Sequence, residues 1–120
     1  MKQTSDLTRR LTLAQEQHAN HEATAFYLYT EDRGNLAELT ARYFSGATIF
    51  HADGIWTPPA NSNGLPQPTV RESAAVIGII GTRDDLQRIF DLAGDIRTAN
   101  TQTSVLVTWQ NVRRYDVTGA

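Results

Sequence analysis

T-V-R-E-S-A-A-V-I-G-I-I-G, residues 69–81, is the stretch whose reading decides the fold. Its second half is small or β-branched and carries no charge, the composition of a strand buried near the centre of a sheet. Its first half holds Arg71 and Glu72, a charge pair at the mouth of that strand. In front of it lies T-P-P-A-N-S-N-G-L-P-Q-P, with all four prolines of the chain. So many breakers predict a long irregular loop over 57–69. A loop feeding a charged strand mouth is a plausible place to hold a ligand.

Working outward, A-T-A-F-Y-L-Y-T at 23–30 reads as the first strand. Period-two alternation sends Phe26 and Leu28 to one face and Tyr27 and Tyr29 to the other. A turn at 31–34 leads to a helix. Asn35 is its expected cap, with Glu38 in capping-box position, Leu36, Leu39, Tyr43 and Phe44 as its apolar stripe, and Gly46 as a left-handed C-cap. A second strand is expected over 47–56, where Gly54 signals a bulge or a close backbone approach. After the third strand, Thr82 caps a second helix, with Asp84 and Asp85 favoured by the helix dipole. Leu86, Ile89, Phe90 and Ala93 form its stripe, extended by Ile96 or Arg97. S-V-L-V-T-W at 104–109 is the fourth strand, and 113–117 reads as a short extra strand suited to another subunit's sheet edge.

The order strand, helix, strand, strand, helix, strand predicts a ferredoxin-like α+β domain over 23–120: a four-stranded antiparallel sheet with both helices on one face. Residues 1–22 are polar, with Leu7, Leu11 and Ala14 at helical spacing, and read as a tail or a short docking helix. The uncovered sheet face is too aromatic and β-branched for water, so a homo-oligomer is expected.

Composition narrows the function. The chain has 120 residues, a net charge of −2 and no cysteine. Disulfides, thiolate metal sites and a cysteine nucleophile are thereby excluded. Only Arg9-Arg10 and Arg113-Arg114 pair basic residues, so nucleic acid is not the expected partner. No apolar run reaches membrane-span length, and the first residues hold no signal-type apolar core. A cytoplasmic setting is expected.

Glu72 is the leading candidate for a working group: a carboxylate at a strand mouth can bind an ammonium or orient a reacting group, and its alternative is an ion pair with Arg71 or Arg113. Tyr27 and Tyr29 can stack on a purine or attract a cation, or pack at a subunit interface. Trp56 can stack on a base or anchor the loop. His18, His21 and His51 do not assemble a metal set, because a site needs three or four convergent ligands. G-I-I-G-T lacks the Lys-Ser/Thr of a phosphate loop, and no Ser-His-Asp set stands out.

Several local motifs carry a resemblance: Phe26-Tyr27 opening the first strand, Gly54-Ile55-Trp56 closing the second, Glu72 leading into the third, and Gln102 with Val105, Leu106 and Val107 as Q-x-x-V-L-V at the fourth. Together with the element order and the long 57–69 loop, they resemble the trimeric PII-like branch of ferredoxin-like proteins. Within it they resemble the small phage-encoded S-adenosylmethionine lyases, formerly called hydrolases. The resemblance implies a trimer with a small-molecule cleft between subunits and no metal or cofactor. It implies that the substrate's own carboxylate expels methylthioadenosine and leaves homoserine lactone. It also implies Glu72 on the α-ammonium, Trp56 or Tyr27 on the adenine or sulfonium, and Arg71, Gln102 and Val105 among the binding residues. Trp56 stands where that family favours tyrosine, and a second acid beside Glu72 is missing. The alternatives are an adenine-nucleotide-binding module without catalysis, or a phage or plasmid protein that inhibits a host partner.

Overall fold

The computed structural model describes residues 21–119. Strands β1 (His21–Glu31), β2 (Thr48–Trp56), β3 (Val70–Gly81) and β4 (Leu106–Arg114) form one sheet in the order β2-β3-β1-β4. All three strand pairs are antiparallel. Helix α1 (Leu36–Ala41) joins β1 to β2. A 3-10 turn (Arg83–Asp85) runs into helix α2 (Leu86–Ala99), which joins β3 to β4. The ferredoxin-like arrangement expected from the sequence is the one observed.

Register explains the two faces. Phe26 lies opposite Ile79, Leu28 opposite Ile77 and Thr30 opposite Ala75. This layer meets Leu36 and Leu39 of α1 and Ile89, Leu92, Ala93 and Ile96 of α2. Phe26, Leu28, Ile77, Ile89, Leu92 and Ile96 are completely buried. Each contributes roughly 1.5–3 kcal/mol of burial free energy. On the other face the same alternation sets Tyr27 opposite Gly78 and Tyr29 opposite Val76. Phe50, Ile80 and Leu106 share this face and stand exposed. Among the described residues no helix is long and apolar enough to cross a membrane.

Several local expectations give way to longer-range contacts. Asn35 does not cap α1 with its side chain. Its amide Nδ2 donates instead to Asn100 Oδ1 at 2.7 Å, tying the start of α1 to the end of α2, so no capping box forms with Glu38. α1 ends at Ala41 with Arg42 still in right-handed helical geometry, and Gly46 has no positive φ. Phe90 leaves the core stripe: it is exposed and meets Trp109 edge-on with ring centroids 6.0 Å apart, while Leu92 takes the buried place. β2 and β3 pair without interruption through Gly54 and Glu72, so Gly54 marks a close approach and not a bulge. β4 starts at Leu106 and runs to Arg114, which absorbs the first residues of the expected extra strand. β1 opens at His21, and the tail or helix expected over 1–22 otherwise lies outside the described residues. Thr82 does open the second helical segment: its N–H donates to Asp85 at 2.9 Å. That bond and the Arg88 guanidinium hold the Asp85 carboxyl below its ordinary value.

The turn from α2 to β4 is built at a cost. Thr101 N–H reaches Thr98 O at 3.3 Å and Gln102 N–H reaches Arg97 O at 2.9 Å, the double closure of a Schellman motif. That motif needs a left-handed residue, and Thr101 supplies it with φ 53°. A β-branched side chain there costs about 1–2 kcal/mol. Thr101→Gly is expected to raise stability by about 0.5–1 kcal/mol after the greater freedom of unfolded glycine is subtracted. Thermal melting checks this; an unchanged or lower midpoint would show the turn to be unstrained.

Candidate functional site

A cleft of about 470 Å³ opens where the uncovered sheet face meets the α2–β4 turn. Its sheet wall is set by period two. Gly54 pairs with Glu72 across β2 and β3, and Ala74 pairs with Glu31 across β3 and β1. Trp56 and Tyr29 extend this wall on the same face. The opposite wall is polar: Thr30 at the end of β1, then Gln102, Thr103 and Ser104. Gly54 leaves room at the bottom, since a Cβ there would stand 3.2 Å from Ala74 Cβ and 3.5 Å from Glu72 Cγ. A side chain at 54 would press on Ala74 and come into ordinary contact with Glu72, narrowing this part of the cleft.

The charge of the lining is one-sided. Glu31 is paired with Arg33 at 2.8 Å. Glu72 is half-buried and has no hydrogen bond or ion pair among the described residues. No lysine, arginine or histidine lines the cleft among the described residues. Such a site favours a cationic group over an anion.

Glu72 at the start of β3, Trp56 at the end of β2 and Gln102 in the α2–β4 turn therefore come together. Arg71 does not join them. Neighbouring residues in a strand point to opposite faces, and Arg71 lies on the helix side, bonded to Asp53 at 2.6 Å. The expected Arg71–Glu72 charge pair is thus absent, because the two side chains leave the strand in opposite directions. Val105 is half-buried against the core and does not line the cleft. Tyr27 lies one pleat farther along the face, beside Thr108 and Gln110. Its neighbour Tyr29 lines the cleft instead, at 40% exposure.

Two flanking features fix the rim. The hydroxyls of Thr57 and Thr69 lie 3.0 Å apart and close the base of the 57–69 loop. Within it, Asn61 Oδ1 accepts from Asn63 and Leu65 N–H, and Gly64 sits at φ 75° as the turn requires. On the helix side His51 Nδ1 lies 2.9 Å from Asp32. The Gly34 N–H, and then this histidine, hold the Asp32 carboxyl below its ordinary range. Among the described residues no three His, Asp or Glu side chains converge as metal ligands.

Strand order and one-sided helix cover define an α+β protein of the ferredoxin-like class. Among solved structures the chain is similar to a phage SAM lyase in complex with S-methyl-5'-thioadenosine. The TM-score is 0.56 at 16% identity, over 82% of this chain and 94% of that one. At that identity the likeness establishes the shared fold. No protein-family model matches the chain, and no curated protein matches its sequence.

Proposed function

We propose that the cleft binds S-adenosylmethionine and cleaves it to methylthioadenosine and homoserine lactone. The observation that carries this reading is the Glu72 carboxylate, without a partner among the described residues, in a cleft that none of their cationic side chains lines. The neighbour of the same fold, a SAM lyase holding methylthioadenosine, supports it. S-adenosylmethionine carries both a sulfonium and an ammonium. An adenine nucleotide carries phosphates, which the same carboxylate repels, so the charge of the cleft favours the lyase reading over a nucleotide-binding module.

The reaction asks little of the protein. One oxygen of the substrate carboxylate bonds to its own γ-carbon. The sulfur–carbon bond breaks, and its electron pair stays on sulfur. The products are a neutral thioether and a five-membered lactone, and no proton moves. Because a positive and a negative charge are both lost, a site drier than water favours the transition state. Holding the chain folded so that oxygen and carbon meet supplies most of the remainder.

That chemistry assigns roles. A carboxylate beside the sulfonium would stabilise the ground state more than the transition state, so Glu72 belongs on the ammonium, whose charge persists. For the same reason Trp56, half-exposed on the sheet wall, belongs on the adenine ring. The exposed face with Phe50, Ile80 and Leu106 is the surface for assembly into a trimer, which would wall the cleft from its open side.

The test is to incubate purified protein with S-adenosylmethionine and separate the mixture by chromatography, with calorimetric titration alongside. Methylthioadenosine and homoserine lactone in equal amounts support the lyase. Heat without product supports a binding module. Neither, from folded protein, overturns both small-molecule readings for this ligand.

A further inference from the structure

The polar wall of the cleft holds a group whose orientation is fixed from behind. Thr30 is buried, and its Oγ1 donates to Gln102 Oε1 at 2.7 Å. Gln102 is also held through its backbone, by the N–H bond to Arg97 O that the left-handed Thr101 makes possible. With its oxygen engaged by the threonine, the Gln102 amide keeps its two N–H bonds free. They have no partner among the described residues. Gln102 and Glu72 line the same cleft, one a donor and the other an acceptor.

We infer that Thr30 acts as a positioning residue that turns the Gln102 amide so that its N–H groups take the carboxylate of an amino-acid ligand, while Glu72 takes the ammonium. This rests on the reading given under Proposed function and deepens it. The cleft then recognises both charged groups of an α-amino acid, and its ligand class is an adenosyl amino acid, not adenosine alone. The amide holds one carboxylate oxygen and leaves the other to bond to the γ-carbon. The Thr30 hydroxyl also lies 3.0 Å from Glu31 O. With its single proton given there, the amide could turn and present oxygen to the cleft, an arrangement with the opposite preference.

The two arrangements separate in binding. S-adenosylhomocysteine keeps the amino-acid group and cannot be cleaved by loss of a sulfonium; methylthioadenosine lacks that group. Their affinities would be measured by calorimetry for the wild type, Thr30→Val, Thr30→Ser and Gln102→Glu. The expected result is a methylthioadenosine affinity within about twofold throughout, which also shows each variant folded. S-adenosylhomocysteine weakens about tenfold in Thr30→Val and recovers in Thr30→Ser. Gln102→Glu weakens it about a hundredfold, since a second carboxylate then faces the ligand's own. Parallel losses for both ligands would make Thr30 merely structural and overturn the inference, as would no loss for either. Tighter S-adenosylhomocysteine binding by Gln102→Glu would overturn it in favour of the turned amide. A wild type that binds neither ligand overturns the Proposed function itself and the inference with it. A wild type that binds both, with variants indistinguishable from it, overturns the inference alone.

Discussion

Phe26→Ala is expected to remove about 3–5 kcal/mol of stability, the range for deleting a buried aromatic ring. Phe26 is completely buried on β1, between Ile79 of β3 and the register position of Trp109 on β4. Its ring belongs to the cluster that α1 and α2 cover. A domain of this size holds roughly 5–15 kcal/mol in total, so the variant loses a large share of it. Phe26 also borders a groove of about 370 Å³ between Arg83, Leu86 and Trp109. The space left by the deletion therefore connects to solvent and does not stay sealed, which places the cost toward the lower end of the range. Phe26→Leu keeps most of the apolar volume and is expected to cost about 1 kcal/mol. Denaturant unfolding of the three proteins checks both values. A loss below 1 kcal/mol for the alanine variant would mean that this layer is not what holds the sheet to its helices.

The fold was legible because its signals are local. The alternation in A-T-A-F-Y-L-Y-T assigns both faces of β1 without reference to any other residue, and the breakers around 57–69 mark the loop by themselves. Two of the misreadings share one cause, a partner distant in sequence. Asn35 followed by Glu38 is a good capping box until Asn100, far along the chain, takes the Asn35 amide. Phe90 fits the apolar stripe of α2 at helical spacing, yet it lies at the edge of the stripe and finds Trp109. The opposite directions of Arg71 and Glu72 follow from strand alternation alone, so that signal was present in the sequence. Choosing Tyr29 over Tyr27 as the cleft residue needs the β1–β3 register, which fixes how far each stands from Glu72. Thr30 left no signal. A threonine in a strand reads as a β-former, and only the fold brings it to Gln102.

For Glu72→Gln, the Proposed function predicts a fall of about ten- to hundredfold in kcat/KM for S-adenosylmethionine, the worth of one hydrogen bond to a charged group. The substitution keeps the shape of the side chain and removes its charge. The rest of the cleft is untouched, since Glu72 bonds to no other described residue. The ammonium that Glu72 holds has the same charge in the bound substrate and in the transition state. Losing the carboxylate therefore weakens both, and KM carries most of the change. A smaller fall in kcat follows, because an ammonium no longer fixed lets the chain leave the folded shape in which oxygen meets the γ-carbon. Methylthioadenosine has no ammonium, and its affinity is expected to stay within about twofold of the wild type. Steady-state kinetics with product chromatography, joined to calorimetry with methylthioadenosine, reads all three quantities. A kcat that collapses while KM holds would give Glu72 a part in the bond-making step instead of in holding the ammonium. Unchanged kinetics for S-adenosylmethionine would remove Glu72 from the site altogether. The cleft carboxylate that has no partner among the described residues would then have no part in the reaction, and the reading built on its charge would fall.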